Sequence, residues 1–417
     1  MQHTLTAKQE RTLLMTLAGI QFGHILDFMI MMPLGPILIA TFSITTHEFG
    51  LLVASYSFAA ALSGLLAATF VDQFERKRML LTMFVLFGLA TLACGLSPGY
   101  TTLLIARCMA GAFGGIMGAM VQTIVGDAIP FARRAKATGI IAASFSLSTV
   151  AGVPLSLWLA NLYDWRAPFI FIAILVVLFV IIGLYTLPEL KYHISPSPDT
   201  GHKNKTHLFS SILTVLGDAN HLRALAFSAL IIFSGFTVIP YITVYAVHNV
   251  GIQQSEIPLI YLLGGAATLI TARIIGHWAD QHGKVEIYRI IALTALLPLI
   301  VVTHIGAAPL WLWIACTTIF FVLVSGRMIP AMAIITSAAQ PELRGTFMSL
   351  NGTTQALAMA LASTLAGFII SQSPTGKIVG YEWVGYVAIT ANLLAIWFVP
   401  RIVMHDQNAV IPDVVPK

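Results

Sequence analysis

Apolar runs of roughly twenty residues recur along this 417-residue chain almost from end to end, and each is long enough to cross the roughly 30 Å hydrocarbon core of a bilayer. A water-soluble fold has no place for so many. The composition agrees: 58% of residues are hydrophobic and 9% charged, where soluble proteins carry about a quarter charged residues. Polar breaks divide the runs into twelve, near residues 13–39, 49–71, 79–96, 102–126, 137–160, 168–187, 221–247, 257–279, 286–304, 309–335, 345–371 and 383–403. The expected fold class is therefore an all-α integral membrane protein of twelve transmembrane helices. Cys94, Cys108 and Cys316 all fall inside apolar runs, so packing is expected of them, without a disulfide framework or a zinc site. The first run follows Arg11 and continues past Leu38 without a short core and cleavage site, which reads as a retained helix and not a signal peptide.

The net charge of +5 could suggest nucleic acid, but the placement of the basic residues has a plainer meaning. With the N-terminus in the cytoplasm, 17 of the 22 Lys and Arg residues fall in cytoplasmic segments. Arg166 and Lys377 fall outside, and Arg107, Arg273 and Arg327 lie within helices. This is the asymmetry of the positive-inside rule. It predicts a multi-pass protein of a bacterial-type inner membrane with both termini cytoplasmic, and no nucleic-acid partner.

The longest polar break, Pro188 to about Asn220, contains SPSPDTGHKNKTH and has too few apolar residues to form a core. It reads as a cytoplasmic linker, 188–220, between six-helix bundles at 1–187 and 221–417. Internal similarity supports the division. Asp72 with Arg76, Lys77 and Arg78 after the second helix is echoed by Gly276, Asp280, Gly283 and Lys284 after the eighth, and Pro130 with Arg134 by Pro341 with Arg344. Two pseudo-symmetric bundles around a central cavity are the usual build of secondary transporters.

These motifs resemble the major facilitator superfamily, and within it the twelve-helix drug/proton antiporters and sugar-efflux proteins, over essentially the whole chain. The loop Ala68 to Leu80, ATFVDQFERKRML, is similar to that superfamily's GxxxDRxGRR loop, with Ala68, Gln73 and Glu75 as departures. Its second copy, GHWADQHGK, keeps Gly276, Asp280 and Gly283. RCMAGAFGG from Arg107 resembles the RxxxG motif of helix four. AGVPLS, with Gly152 and Pro154, resembles the antiporter motif of helix five but lacks its following glycine pair. LDFMIMMPLGP, with Asp27 at the acid position, and DWRAPF resemble the first-helix motif of drug exporters and the entry to helix six. The resemblance implies alternating access, with Asp72, Arg76, Lys77, Gly276, Asp280 and Lys284 as gating residues.

An ionisable side chain deep in a membrane costs a few kcal/mol on insertion scales, about 2.5–3.5, so each needs a partner or a wet cavity. Asp27 is for this reason the most informative residue. It shares a helical face with Gln21, His24 and Met31 near mid-depth. A carboxylate that exchanges a dry environment for one beside a cation can load and release a proton, which makes Asp27, His24 and Arg107 the proton-coupling set. The alternative is a fixed Asp27–Arg107 pair that only orients two helices. Gly111, Gly114 and Gly118 after Arg107 form a small-residue stripe that admits a neighbouring helix. Arg327 cannot be titrated away; it reads either as a contact for an anionic substrate group or as the partner of a carbonyl near Pro330. Arg273 is expected to snorkel. Tyr241, Tyr245, Asn351 and Gln355 complete, with Gln21, Met31 and Arg327, the candidate substrate contacts, against interfacial or interhelical roles.

The leading functional expectation is a proton-coupled secondary transporter of a small organic molecule, most simply an efflux antiporter acting as a monomer. No GxxxxGK[ST] sequence supplies ATP hydrolysis, no histidine set has metal spacing, and no cofactor is expected. The alternative with the same fold is an importer of an anionic metabolite or a metal-chelating organic acid. A membrane enzyme or non-transporting receptor lacks any nucleophile, metal or paired-carboxylate arrangement to support it.

Overall fold

The computed structural model describes residues 6–70, 74–188, 212–340 and 343–405. Twelve helices among them are long and apolar enough to cross a membrane: α1 Lys8–Ile30, α2 Thr46–Ala67, α3 Arg76–Gly95, α4 Tyr100–Ala128, α5 Lys136–Leu162, α6 Ala167–Thr186, α7 Ala219–Val250, α8 Gln254–His282, α9 Lys284–His304, α10 Leu310–Ala338, α11 Arg344–Ile369 and α12 Tyr381–Arg401. Twelve crossings would place Lys8 and Arg401 on the same side of a membrane. The helices lie where the apolar runs place them, with one difference. The first run, expected as a single helix to residue 39, breaks at Met31–Leu34 and resumes as a separate short helix, Gly35–Phe42. Pro33 and Pro36 explain it, since each lacks a backbone donor and its ring crowds the preceding turn.

Other interruptions follow the same chemistry. In α5 a π-helical turn, Ser148–Gly152, precedes Pro154, and in α7 a 3₁₀ turn, Ile239–Tyr241, contains Pro240. The continuous stretch of α10 ends at Gly326 and restarts at Met328, with Arg327 at the break and Pro330 just beyond. Helix starts are capped by side chains. Thr6 and Gln9 form a capping box on α1, and Glu75 accepts the backbone N–H groups of Lys77 and Arg78 on α3.

Asp218 caps α7, accepting from Asn220 N at 2.7 Å and His221 N at 3.0 Å. These bonds, that of His221 first, hold its carboxyl below the ordinary carboxylate range. The stabilisation is therefore complete above the unfolded value, about 4, and is lost as pH falls through the lower folded value. Asp218→Ala is expected to cost about 1 kcal/mol at neutral pH and progressively less in acid, as measured by denaturant unfolding in micelles at two pH values.

Helices α1 to α6 pack among themselves, as do α7 to α12; α2 against α11 and α5 against α8 join the two sets. The joins are tightest on the side away from the termini. There Thr46 Oγ1 donates to Ile370 O at 2.7 Å, Tyr241 donates to Thr46 O at 3.1 Å and Asn161 donates to Gln254 O at 3.3 Å. A short hairpin between α11 and α12, Ser371–Gln372 paired with Ile378–Val379, is tied down on the same side by Asn249, which exchanges two 2.8 Å bonds with Ile378. Gly118, Gly126 and Gly352 face open space, and Gln122 and Ser349 are exposed. The hydrogen bonds at Thr46, Tyr241 and Asn161 thus form a seal between the two sets on the side away from the termini.

Candidate functional site

The site grows from α1, where Asp27 lies one turn beyond His24. Asp27 is fully buried, and Arg107 of α4 meets it there. Arg107 Nη1 donates to Asp27 Oδ2 at 2.8 Å and to the Asp27 backbone carbonyl at 3.2 Å, with the two side chains 1% and 0% exposed. Burial of this kind is stable only because each charge cancels the other, since desolvating either alone costs several kcal/mol. The Asp27–Arg107 contact, common to the coupling and the structural readings of the sequence, is present in this arrangement.

Aromatic rings enclose the pair. The Arg107 guanidinium lies 4.4 Å from the centroid of Tyr56 on α2, a cation–π contact strengthened by the absence of water. His24 stacks on Tyr56 at 6.2 Å and meets Phe87 of α3 edge-on at 5.8 Å. Phe28 contacts Tyr56 at 5.5 Å and reaches across to Phe236 of α7 at 5.9 Å. The glycines of α4 make this closeness possible. A Cβ at Gly111 would collide with Tyr56 O and lie 2.8 Å from the Tyr56 carbonyl carbon, and one at Gly114 would lie 2.6 Å from His24 Nε2 and 2.7 Å from Tyr56 Oη.

The cluster is incompletely satisfied. Asp27 Oδ1, Arg107 Nε, Tyr56 Oη and both His24 ring nitrogens are buried without a hydrogen-bond partner. Unpaired buried polar atoms cost free energy, and five in one cluster mark a place where a proton, water or ligand group can enter. His24 itself is half-buried, one turn from Asp27 on α1.

The helices of the second set hold a related but different arrangement. Arg327 of α10 is fully buried and bonds to neutral acceptors only: the Asn392 side-chain oxygen on α12 and, at 3.2 Å, Ile231 O on α7. Asn392 in turn donates to Ala292 O of α9 at 2.7 Å. No carboxylate pairs with Arg327 among the described residues. Its guanidinium is directed into the interior of α7 to α12.

The remaining expected substrate contacts scatter. Gln21 is half-buried one turn from His24 toward the termini, and Met31 is fully buried at the break after α1. Tyr241 lies in the seal. The Tyr245 hydroxyl donates to Ile305 O at 2.9 Å while its ring packs on Tyr381 at 4.7 Å. Asn351 is buried with Oδ1 unpaired; Gln355 donates to Ser228 Oγ at 3.0 Å. Gly152 presses against Leu26 and Phe22 of α1, which joins the Pro154 region to the helix that carries Asp27.

Of the expected gating residues, Arg76 pairs with Asp127 at the end of α4, 3.1 Å away, and Lys77 donates to Leu184 O at 2.7 Å. Asp280 is exposed, Gly276 lies beside Ile329, and Lys284 is half-buried at the start of α9. Asp72 and Pro341 lie outside the described residues. Tyr56, Asp127 and Asn392 were not singled out from sequence. Asp127 carried a usable signal, being an acid at a helix end on the same side as Arg76. Tyr56 carried none that separates it from an ordinary apolar-run tyrosine.

A family model described as Major Facilitator Superfamily matches residues 17–363 and 224–410. The chain is 24% identical over 382 residues to an uncharacterized MFS-type transporter, YbcL, of Bacillus subtilis (strain 168), covering 88% of this chain and 91% of that protein. It is 21% identical to Multidrug resistance protein 2 of the same organism, covering 87% and 89%. Among solved structures, a D-xylose-proton symporter shares the fold with a TM-score of 0.72 at 17% identity, covering 95% of this chain and 99% of that one.

Proposed function

Because the chain belongs to the Major Facilitator Superfamily and is a membrane transporter and not an enzyme, we propose that it exports a small organic molecule in exchange for protons. The observation that carries this reading is the Asp27–Arg107 pair, sealed from solvent with Asp27 Oδ1 left without a hydrogen-bond partner. A proton delivered to Asp27 neutralises the carboxylate and loosens its hold on Arg107; substrate release and proton release then alternate at one cluster. His24, the nearest titratable side chain on the same face, guides the proton.

The excess of basic residues on the termini side supports a cytoplasmic location for both ends in a bacterial-type inner membrane. On that reading the side away from the seal faces the cytoplasm, where an exporter collects its cargo. The bundles 1–187 and 221–417 rock about the linker 188–220 as a monomer, and Asp72, Arg76, Lys77, Gly276, Asp280 and Lys284 close the cytoplasmic side. Gln21, Asn351 and Gln355 are the substrate contacts that this arrangement favours. The similarity to the multidrug resistance relative supports the outward direction. An importer of anionic metabolites finds less support, because Arg327 is bonded inside α7 to α12 and wholly buried.

In everted membrane vesicles with an acid interior, a transported probe is expected to accumulate without ATP, and a protonophore is expected to abolish that accumulation. The panel is a lipophilic cationic dye, a neutral sugar and a carboxylate. Accumulation of a panel member that is indifferent to the protonophore contradicts proton exchange.

A further inference from the structure

The seal away from the termini is organised around one hydroxyl. Tyr241 of α7 is fully buried, and its Oη lies 3.1 Å from Thr46 O at the start of α2 and 3.3 Å from Ser363 O on α11. Thr46 belongs to the first set of helices, Ser363 and Tyr241 to the second. Two glycines make room for the hydroxyl between α2 and α11. A Cβ at Gly367 would approach Tyr241 Oη to 2.6 Å, and one at Gly50 would approach Ser363 O to 2.9 Å. Around it the Phe49 ring meets Tyr241 edge-on at 5.7 Å, and His47 lies against Phe368 at 4.0 Å.

A phenol has a single proton to donate, yet two carbonyls face it here. Their ownership differs: Ser363 O moves with Tyr241 when the two sets separate, whereas Thr46 O leaves. In the sealed arrangement the bond to Thr46 ties α2 to α7. In an opened one water reaches Thr46 O, Ser363 O and the hydroxyl alike, so the hydroxyl's bond is replaceable and no buried donor is orphaned. Removing the hydroxyl therefore penalises only the sealed arrangement, where Thr46 O would stay buried and lose a partner.

We propose that Tyr241 is a gate-positioning residue, a latch whose hydroxyl bridges the backbones of α2 and α11 across the two halves and biases the transporter toward the arrangement sealed on this side. The opening step rests on the alternating-access reading given above; the latch itself is a property of the seal and is read without substrate or protons. Tyr241 is then not a substrate contact.

The test places a reporter thiol at Ser363, whose fully buried Oγ makes no hydrogen bond, in a chain with Cys94, Cys108 and Cys316 changed to Ser. An impermeant maleimide reaches that thiol only when the seal opens. Tyr241→Phe is expected to raise the labelling rate in purified protein about five-fold, the factor carried by one hydrogen bond of about 1 kcal/mol. Tyr381→Phe is the control. Its hydroxyl donates to Val238 O at 2.9 Å between α12 and α7, inside one set, so its loss lowers unfolding stability and leaves labelling unchanged. Equal labelling of Tyr241→Phe and its parent overturns the latch, as does an equal acceleration in Tyr381→Phe. A failure of proton exchange, with the labelling result intact, would count against the transport reading alone.

Discussion

Asp27→Ala is expected to cost about 3–5 kcal/mol of unfolding stability, and Asp27→Asn to recover most of that loss. The reason is an asymmetry between the partners. Arg107 is 1% exposed and cannot shed its charge, so deleting the carboxylate leaves a buried cation with no compensation. An amide keeps an oxygen in place for the guanidinium. The protein already contains that solution, since Arg327 is held fully buried by the amide oxygen of Asn392 and one backbone carbonyl. Arg107→Ala should fall between the two, because the stranded Asp27 can take up a proton, and its cost should shrink in acid. Denaturant unfolding in micelles reads the order. If the Ala and Asn variants are equally stable, the pair is not what holds α1 to α4.

Gly111→Val is expected to be the most disruptive change made without touching a charge. A Cβ there lies 2.8 Å from the Cα and carbonyl carbon of Tyr56, and a backbone cannot rotate away as a side chain can. Overpacking of this kind costs typically 1–3 kcal/mol and occasionally more. Relief requires α2 to retreat from α4, which draws the Tyr56 ring off Arg107, now 4.4 Å from its centroid. Transport should fall together with stability. Gly118→Ala, on the same helix but facing open space, should be nearly silent in both measurements, and comparable losses in the two variants would show that the close approach of α2 is not what matters.

Much of this architecture was legible in the sequence because lipid imposes a simple rule: every spanning segment must be a long apolar helix. Twelve runs could be counted, and Asp27 and Arg107 stood out as charges that lipid does not tolerate unpaired. What periodicity does not encode is which face of a helix meets the opposite half. Tyr241 looked like a cavity tyrosine for that reason, yet it lies in the seal. The break at Met31–Leu34 was hidden because a run that stays apolar through Pro33 and Pro36 shows no gap. Arg327 bonds to Asn392, 65 residues away, a long-range contact that no local pattern in the sequence reveals. The loop that contains Asp72 lies partly outside the described residues.

Two halves built alike therefore differ where it counts: the first pairs its buried arginine with a titratable carboxylate, the second with an amide that has no proton to exchange. The most direct test is substrate-induced proton movement in proteoliposomes that hold an interior pH dye, with the dye, sugar and carboxylate panel applied to the parent protein and to Asp27→Asn. The parent should move protons with one class of substrate, and Asp27→Asn should bind that substrate yet leave the interior pH still. Proton movement in Asp27→Asn equal to the parent's would contradict the assignment of coupling to Asp27.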